Sequence, residues 1–371
     1  MFDLLASPTG EPVRAFEPYR QIPEPELVKR IRAAKEKLGD RLVILGHHYQ
    51  KDEVIAFADL RGDSLKLSQQ AAQCKNAKYV IFCGVHFMAE TADILTDDTV
   101  EVILPDMSAG CSMADMADID QVEACWDDLD PILDVSTITP VTYINSTAAL
   151  KAFCGRNEGT VCTSSNAEKV LQWALARRDR ILFFPDQHLG RNTAKRMGIP
   201  LDRMIVWDPS QPLGGNTEEQ VRNATVILWR GWCSVHQMFK PEHVQMFRKR
   251  DPEIKVLVHP ECPMEVVDQA DLVGSTEFIL KTVSQAPAGS KWAIGTELHL
   301  VNRLKAENPT KQIQFLSSMV CMCATMYRID LPHLCWAIEC LAEGTVVNRI
   351  KVPPEIAKWS KVALNRMLQL S

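Results

Sequence analysis

The sequence predicts an α/β protein made of three pseudo-equivalent three-layer αβα domains, each with a small parallel sheet, around a central site. Three observations predict it. Short apolar runs alternate with helical patterns; the alternation recurs in three sets spaced by about 100 to 120 residues; and the runs end in polar residues. Strands that alternate with helices form parallel sheets covered on both faces. Right-handed crossovers then bring the strand C-terminal ends to one edge, where ligands bind.

The elements follow in order. Helical periodicity covers 22–38. The runs "LVILGHHYQ" (42–50), "VTYINSTA" (141–148) and "KVLVHPECP" (255–263) read as buried parallel strands. Each leads into a small-hydroxyl stretch that opens a helix, "GDSLKLSQQA", "TSSNAEKVLQWA" and "GSTEFILKTVSQA", so Ser64, Ser164 and Thr276 read as helix starts. The third set, "YVIFCGVHFMAETA", "RILFFPDQHLGRNTA" and "KWAIGTELHLVNRL", is a strand leading to His86, His188 or His299, read as structural histidines bonded to nearby backbone. The last set is a strand, a loop and a cysteine: "EVILPDMSAGCSMADM", "MIVWDP" continuing to "RGWCSVHQM", and "IQFLSSMVCMCATM". The expected units are 1–120 with the N-terminal helix, 121–239 and 240–330. Residues 331–371 are expected to form a helical strap, interrupted by "VPP", on the first unit.

A chain of 371 residues exceeds one average core, and 46% hydrophobic with 24% charged residues reads as a globular enzyme. The net charge of −6 argues against a nucleic-acid or anionic-membrane surface and leaves small molecules as the expected partners. No apolar run reaches the roughly 18 residues that span a bilayer, and the N-terminus lacks a signal-like stretch, so a cytoplasmic location is expected.

Twelve cysteines are many for a reducing compartment. Cys74, Cys83, Cys125, Cys154, Cys335 and Cys340 fall in apolar patterns and read as core. Cys233, taken alone in "RGWCSVH", reads more readily as a small buried hydrophobe than as a metal ligand or a nucleophile, with Gly231 allowing the backbone to turn. Its repeat position beside Cys111 and Cys323 favours a ligand. Three thiolates suit an iron–sulfur cluster with one iron open to substrate, whereas a structural zinc takes four protein ligands. Cys321 stays ambiguous between ligand, redox partner and core. Ser64, Ser164 and Thr276 offer hydroxyls at positive helix ends, a cradle for carboxylate or phosphate. His47, Tyr49, Tyr143, Asn145, His259 and Glu261 follow the strands as acids, bases and donors, and Glu261 is placed to take protons.

Together these motifs resemble the quinolinate synthase family. The likeness is carried by "GHHYQKDEV", "GDSLKL", "HFMAETADIL", "GCSMADM", "YINSTAALKA", "CTSSNAEKVL", "FFPDQHLGRNTA", "GWCSVH", "HPECPMEVVDQADLVGSTEFI" and "GTELHLVNRL", spread over 43–331. The resemblance implies condensation of iminoaspartate with dihydroxyacetone phosphate to quinolinate, with loss of phosphate and water, on a [4Fe-4S] cluster held by Cys111, Cys233 and Cys323. It implies substrate contacts from His47, Ser64, Tyr143, Asn145, Ser164, His236, His259, Glu261 and Thr276, with Tyr49, His259 and Glu261 catalytic. The chain departs from the family pattern at Tyr327, where a basic residue is usual, and in the C-x-C spacing of Cys321 and Cys323. "FCGRNEGTV" and "LGGNTEEQVRNATVILW" read as surface additions. Two rival readings remain at this level: an iron–sulfur hydro-lyase on another small carboxylic acid, and a non-catalytic redox sensor. The sensor needs neither the Glu261 acid nor the Ser64 cradle.

Overall fold

The computed structural model describes residues 14–74, 77–319 and 322–370; Cys321 lies outside them. In chain order the first elements are α1 (Glu24–Leu38), β1 (Leu42–His47), α2 (Asp52–Ile55), β2 (Leu60–Gly62), α3 (Ser64–Ala71), β3 (Tyr79–Cys83), α4 (His86–Leu95) and β4 (Glu101–Ile103). The next are α5 (Ile119–Leu133), β5 (Ile138–Tyr143), α6 (Ala148–Arg156), β6 (Thr160–Cys162), α7 (Ala167–Leu175), β7 (Arg180–Phe184), α8 (Gln187–Arg196), β8 (Met204–Trp207), α9 (Glu218–Asn223) and β9 (Val226–Trp229). Then come α10 (Pro241–Arg250), β10 (Lys255–Val258), α11 (Met264–Val267), β11 (Leu272–Val273), α12 (Thr276–Gln285), β12 (Lys291–Gly295), α13 (Leu298–Glu307) and β13 (Gln312–Phe315). The chain ends with α14 (Leu331–Ala342), β14 (Arg349–Ile350) and α15 (Pro354–Gln369).

The described residues form two compact units, 14–110 with 324–352, and 111–323 with 353–370. The first holds one sheet, ordered β2-β1-β3-β4 with β14 added antiparallel at the β4 edge. The second holds two, ordered β6-β5-β7-β9-β8 and β11-β10-β12-β13. Apart from β14 all pairings are parallel. In every sheet the first strand lies between the second and third; beyond the third stands the fourth, except in the five-stranded sheet of the second unit, where β9 takes that place and β8 lies outside it, so the repeat seen in sequence reappears in the strand order. The inner strands are continuous apolar runs because helices cover both faces: β3, β5 and β9 are buried at every residue. In the third sheet Val256, Val258 and Ala293 pack with Phe239, Val244, Phe247 and Val266.

Three expectations need correction. The strand matched to the second cysteine loop was "MIVW", but β8 is a half-exposed edge strand; fully buried β9 takes the place beside β7 and leads to Cys233. The two stretches read as surface additions are not superficial. Phe153, Cys154, Thr160 and Val161 are buried in α6 and β6, and the other stretch supplies β9 itself. Residues 331–371 do not form one strap on the first unit. Pro353 and Pro354 separate α14, which packs on α1, from α15, which packs on α6 in the second unit. That packing is close enough to need glycine: a Cβ on Gly155 would stand 2.0 Å from the Trp359 carbonyl oxygen.

Candidate active site

Three strand ends and one turn build a buried polar chain in the second unit. Tyr143 closes β5; His259 and Glu261 follow β10; Thr296 follows β12; and His236 lies in the turn after Cys233. All five are buried. Tyr143 Oη donates to Glu261 Oε1 at 2.5 Å. His236 Nδ1 lies 2.8 Å from Glu261 Oε2, and its Nε2 lies 3.2 Å from Thr296 Oγ1. The His259 ring stacks on His236 at 4.5 Å and 19°, and its Nδ1 accepts the Glu261 backbone N–H at 3.4 Å.

Burial disfavours a charge on Glu261, but the two imidazoles and the hydrogen bonds from His236 and Tyr143 outweigh it, so its carboxyl is held below the ordinary range. An ionised carboxylate only accepts; the hydrogen between it and His236 therefore resides on Nδ1. Burial pushes His259 down to about 3, against the pull of Glu261, which keeps that ring neutral. Nearby Asp186 is raised, first by burial and then by the Glu261 charge.

The three cysteines of the repeat open the same turn. A single 3-10 turn starts three residues beyond each one, at Ala114, His236 and Met326. The carbonyls of Cys111 and Cys233 accept from the amides four residues on, at 3.1 and 2.9 Å. Cys323 holds the equivalent position. Gly231 serves close approach rather than turning: a Cβ there would meet the Pro185 carbonyl oxygen at 2.2 Å, and Gly231 O accepts the Gln187 N–H at 2.9 Å. That contact ties the Cys233 loop to the start of α8.

Burial pushes the Cys111 thiol up to about 12, with Cys323 and Glu261 adding to the rise against the amides of Ala114 and Met113. Cys233 is raised well above its usual range by burial, then by Glu261, Cys111 and Cys323. The three thiols thus share one electrostatic neighbourhood with Glu261. None is in a disulfide, and all three are half-buried, while Cys83, Cys125, Cys154, Cys335 and Cys340 are core. Three soft donors on matching turns fit an iron–sulfur cluster. Cys233, His236 and Glu261 also bring one ligand atom each within 4.8 Å of one another. Both nitrogens of His236 and both oxygens of Glu261 already have protein partners, so this trio is better described as a hydrogen-bond chain beside a thiol.

The remaining expected residues are placed as follows. Thr276 is the first residue of α12, but the cap is Ser275, whose side chain accepts the Phe278 N–H. Ser64 likewise opens α3 behind its cap Asp63. Ser164 lies in the turn before α7, whose cap position is Asn166. Ser64 and Thr276 therefore start their helices as expected, with the preceding residue as cap, while Ser164 stands three residues before the start of α7. Asn145 follows β5, and its Oδ1 is buried with no partner among the described residues. In the first unit His47 closes β1, its Nδ1 accepting the Tyr49 N–H at 3.1 Å and its ring meeting Tyr49 edge-on at 4.7 Å. Lys51 stands 4.1 Å above the Tyr327 ring, so a cation lies close to the position where the family pattern has a basic residue. The sequence reading missed Thr296. Its signal was a polar residue directly after an apolar run, overlooked in favour of His299.

The chain matches the model of the quinolinate synthetase A protein family over residues 29–369. It is 60% identical over 364 residues to a quinolinate synthase of Rhodopirellula baltica, covering 95% of this chain and 93% of that one. It is 59% identical over 354 residues to a quinolinate synthase of a Nocardioides species, covering 94% and 90%. With a quinolinate synthase of Anoxybacillus flavithermus it shares 57% identity over 355 residues, 95% of each chain.

Proposed function

The chain belongs to the quinolinate synthase family, and from that premise we propose that it condenses iminoaspartate with dihydroxyacetone phosphate to quinolinate, releasing phosphate and water. The observation that carries the reading is the set of three matching cysteine turns together with the buried, hydrogen-bonded Glu261. Cys111, Cys233 and Cys323 hold a [4Fe-4S] cluster, three thiolates for four irons. When bound, such a cluster supplies a Lewis-acidic iron that polarises a carboxylate or hydroxyl.

The chain's own residues supply the rest. Ser64, Ser164 and Thr276, at positive helix ends, bind the carboxylates and phosphate of the substrates. His47, Tyr143, Asn145 and His236 orient them; the buried Asn145 Oδ1 supports this, because a ligand donor would satisfy it. Glu261 starts ionised, takes a proton during isomerisation, and returns it to the departing hydroxyl as water is lost. Tyr49 assists these transfers. His259 stays neutral; with Nδ1 accepting the Glu261 N–H, its Nε2 carries the hydrogen and donates to substrate. The three sheets stand for three pseudo-equivalent domains, 1–120, 121–239 and 240–330. The free thiols suit a cytoplasmic setting; no helix among the described residues is long and apolar enough to cross a membrane.

The test is anaerobic iron and sulfide analysis together with a quinolinate assay on the two substrates. Four irons per chain with quinolinate formed, and both lost in Cys233→Ala, is the expected result. Quinolinate made without iron would reject the metal reading. Iron without quinolinate would reject the reaction.

A further inference from the structure

We propose that Asn192, on α8, is a positioning residue for Glu261; the proposal rests on the reading of Glu261 as the group that moves protons. Asn192 is 7% exposed. Its Nδ2 donates to the carbonyl of Pro260 at 2.8 Å and to that of Cys262 at 2.9 Å, the two residues on either side of Glu261. One amide thus straddles the residue whose side chain meets Tyr143 and His236.

The local sequence makes this clamp necessary. In "HPECP" two prolines lack an N–H, so the turn has fewer internal donors for its carbonyls. On one side the turn is tied to β12, through His259 N–H to the Gly295 carbonyl at 3.0 Å and Cys262 Sγ to the same carbonyl at 3.6 Å. Asn192 ties the other side to α8. That helix packs on β7, which pairs with β5, the strand that carries Tyr143. The scaffold that places the phenol therefore also grips the backbone of the carboxylate it binds. Asn192 Oδ1 is buried with no partner among the described residues. Forgoing that acceptor has a cost, and a side chain retained for its two donors alone points to the turn they hold.

Asn192→Asp keeps the shape and removes the donors; Asn192→Leu removes polarity as well. For either variant kcat is expected to fall by about 10- to 100-fold, the scale of an ångström-level misplacement. KM for each substrate should stay within about threefold, and iron and sulfide per chain should be unchanged. In the double variant with Glu261→Gln the Asn192 change should add no further loss, because it acts through that residue. Lys195→Ala is the control. It removes the Lys195–Asp268 ion pair at 2.6 Å, a second tie from α8 to the segment after α11, away from Glu261. Its kcat should match wild type.

Wild-type kcat in folded Asn192→Asp would overturn the proposal, as would an equal loss in Lys195→Ala. Failure of both Asn192 variants to fold, or loss of iron with activity, would overturn it in favour of a scaffold role. Wild-type kcat in Glu261→Gln alone would instead sink the reading of Glu261, a distinguishable result.

Discussion

Two tyrosines donate to two glutamates in this chain, each at 2.5 Å, in different company. Tyr19 Oη reaches Glu339 Oε2; Tyr143 Oη reaches Glu261 Oε1. Around Glu339 stand two arginines: Arg14 Nη1 at 2.8 Å, and Arg30, whose Nε lies 2.8 Å from Oε1 and whose Nη2 also contacts the carboxylate. Around Glu261 stand two histidines and, nearby, the thiols. Guanidinium charge is permanent, so the first pair can only hold α1, α14 and the segment before α1 together. Imidazole and phenol can pass hydrogens, so the second pair can do chemistry. The acceptor is the same; the permanence of its donors separates a strut from a reaction centre.

Glu261→Gln sharpens the contrast most. General acid–base groups contribute about 10²- to 10⁴-fold, so kcat is expected to fall about 10³-fold in a quinolinate assay, with the thermal midpoint nearly unchanged. Next comes the paired removal of the phenols. Tyr143→Phe takes a hydrogen bond from a charged acceptor in the site, and kcat should fall about 10-fold. Tyr19→Phe should leave kcat per folded enzyme at wild type. Equal effects of the two phenylalanine variants on kcat would erase the distinction.

The two pairs were not equally legible. Glu261, His259 and Tyr143 stood out because each follows an apolar run, and a polar residue at a strand end has few places to go but the ligand edge. Tyr19 and Glu339 carry no such mark; they lie about 320 positions apart, and only packing of α14 on α1 joins them. The same non-locality hid Asn192, whose role depends on partners in the turn after β10, whereas Thr296 carried the mark and was passed over for His299. Strands β1, β3, β5, β7, β10 and β12 were readable as continuous apolar stretches. β2, β6 and β11 run only two or three residues, too short for any periodicity to register. The helix starts were legible at Ser64 and Thr276, where a capping residue stands just before, but at Ser164 the turn runs on to the cap position at Asn166. The β8 and β9 strands were confused because both end in tryptophan after three apolar residues, and composition alone does not say which is the edge.

Glu339→Gln tests the strut. Three donors lose a charged acceptor, but Arg14 is 43% exposed, and water screens that part of the interaction. A loss of about 1–2 kcal/mol is expected, a fall in the unfolding midpoint of a few degrees, with kcat per folded enzyme unchanged. A large loss of kcat at intact stability would contradict the assignment.

The smallest expected effect is in the pH dependence of stability, where the strut is bounded on both sides. Burial opposes ionisation of Glu339, yet hydrogen bonds from Arg30 and Tyr19 and the charges of both arginines hold its carboxyl below the ordinary value. A depressed carboxyl contributes stability that is present above its unfolded value, about 4.3, and lost as pH falls through the lower folded value. Tyr19 is the opposite case. Burial, then the bond to Glu339, raises its phenol to about 12 against the pull of Arg14, so its contribution is complete below the ordinary value of 10.0 and lost as pH rises through about 12. The stability difference between wild type and Glu339→Gln should therefore hold steady through neutral pH and shrink in acid, and the difference from Tyr19→Phe should shrink above pH 10, both followed by thermal unfolding. Differences that instead vary through pH 6–7, where an ordinary imidazole titrates, would mean that a histidine governs the strut as well.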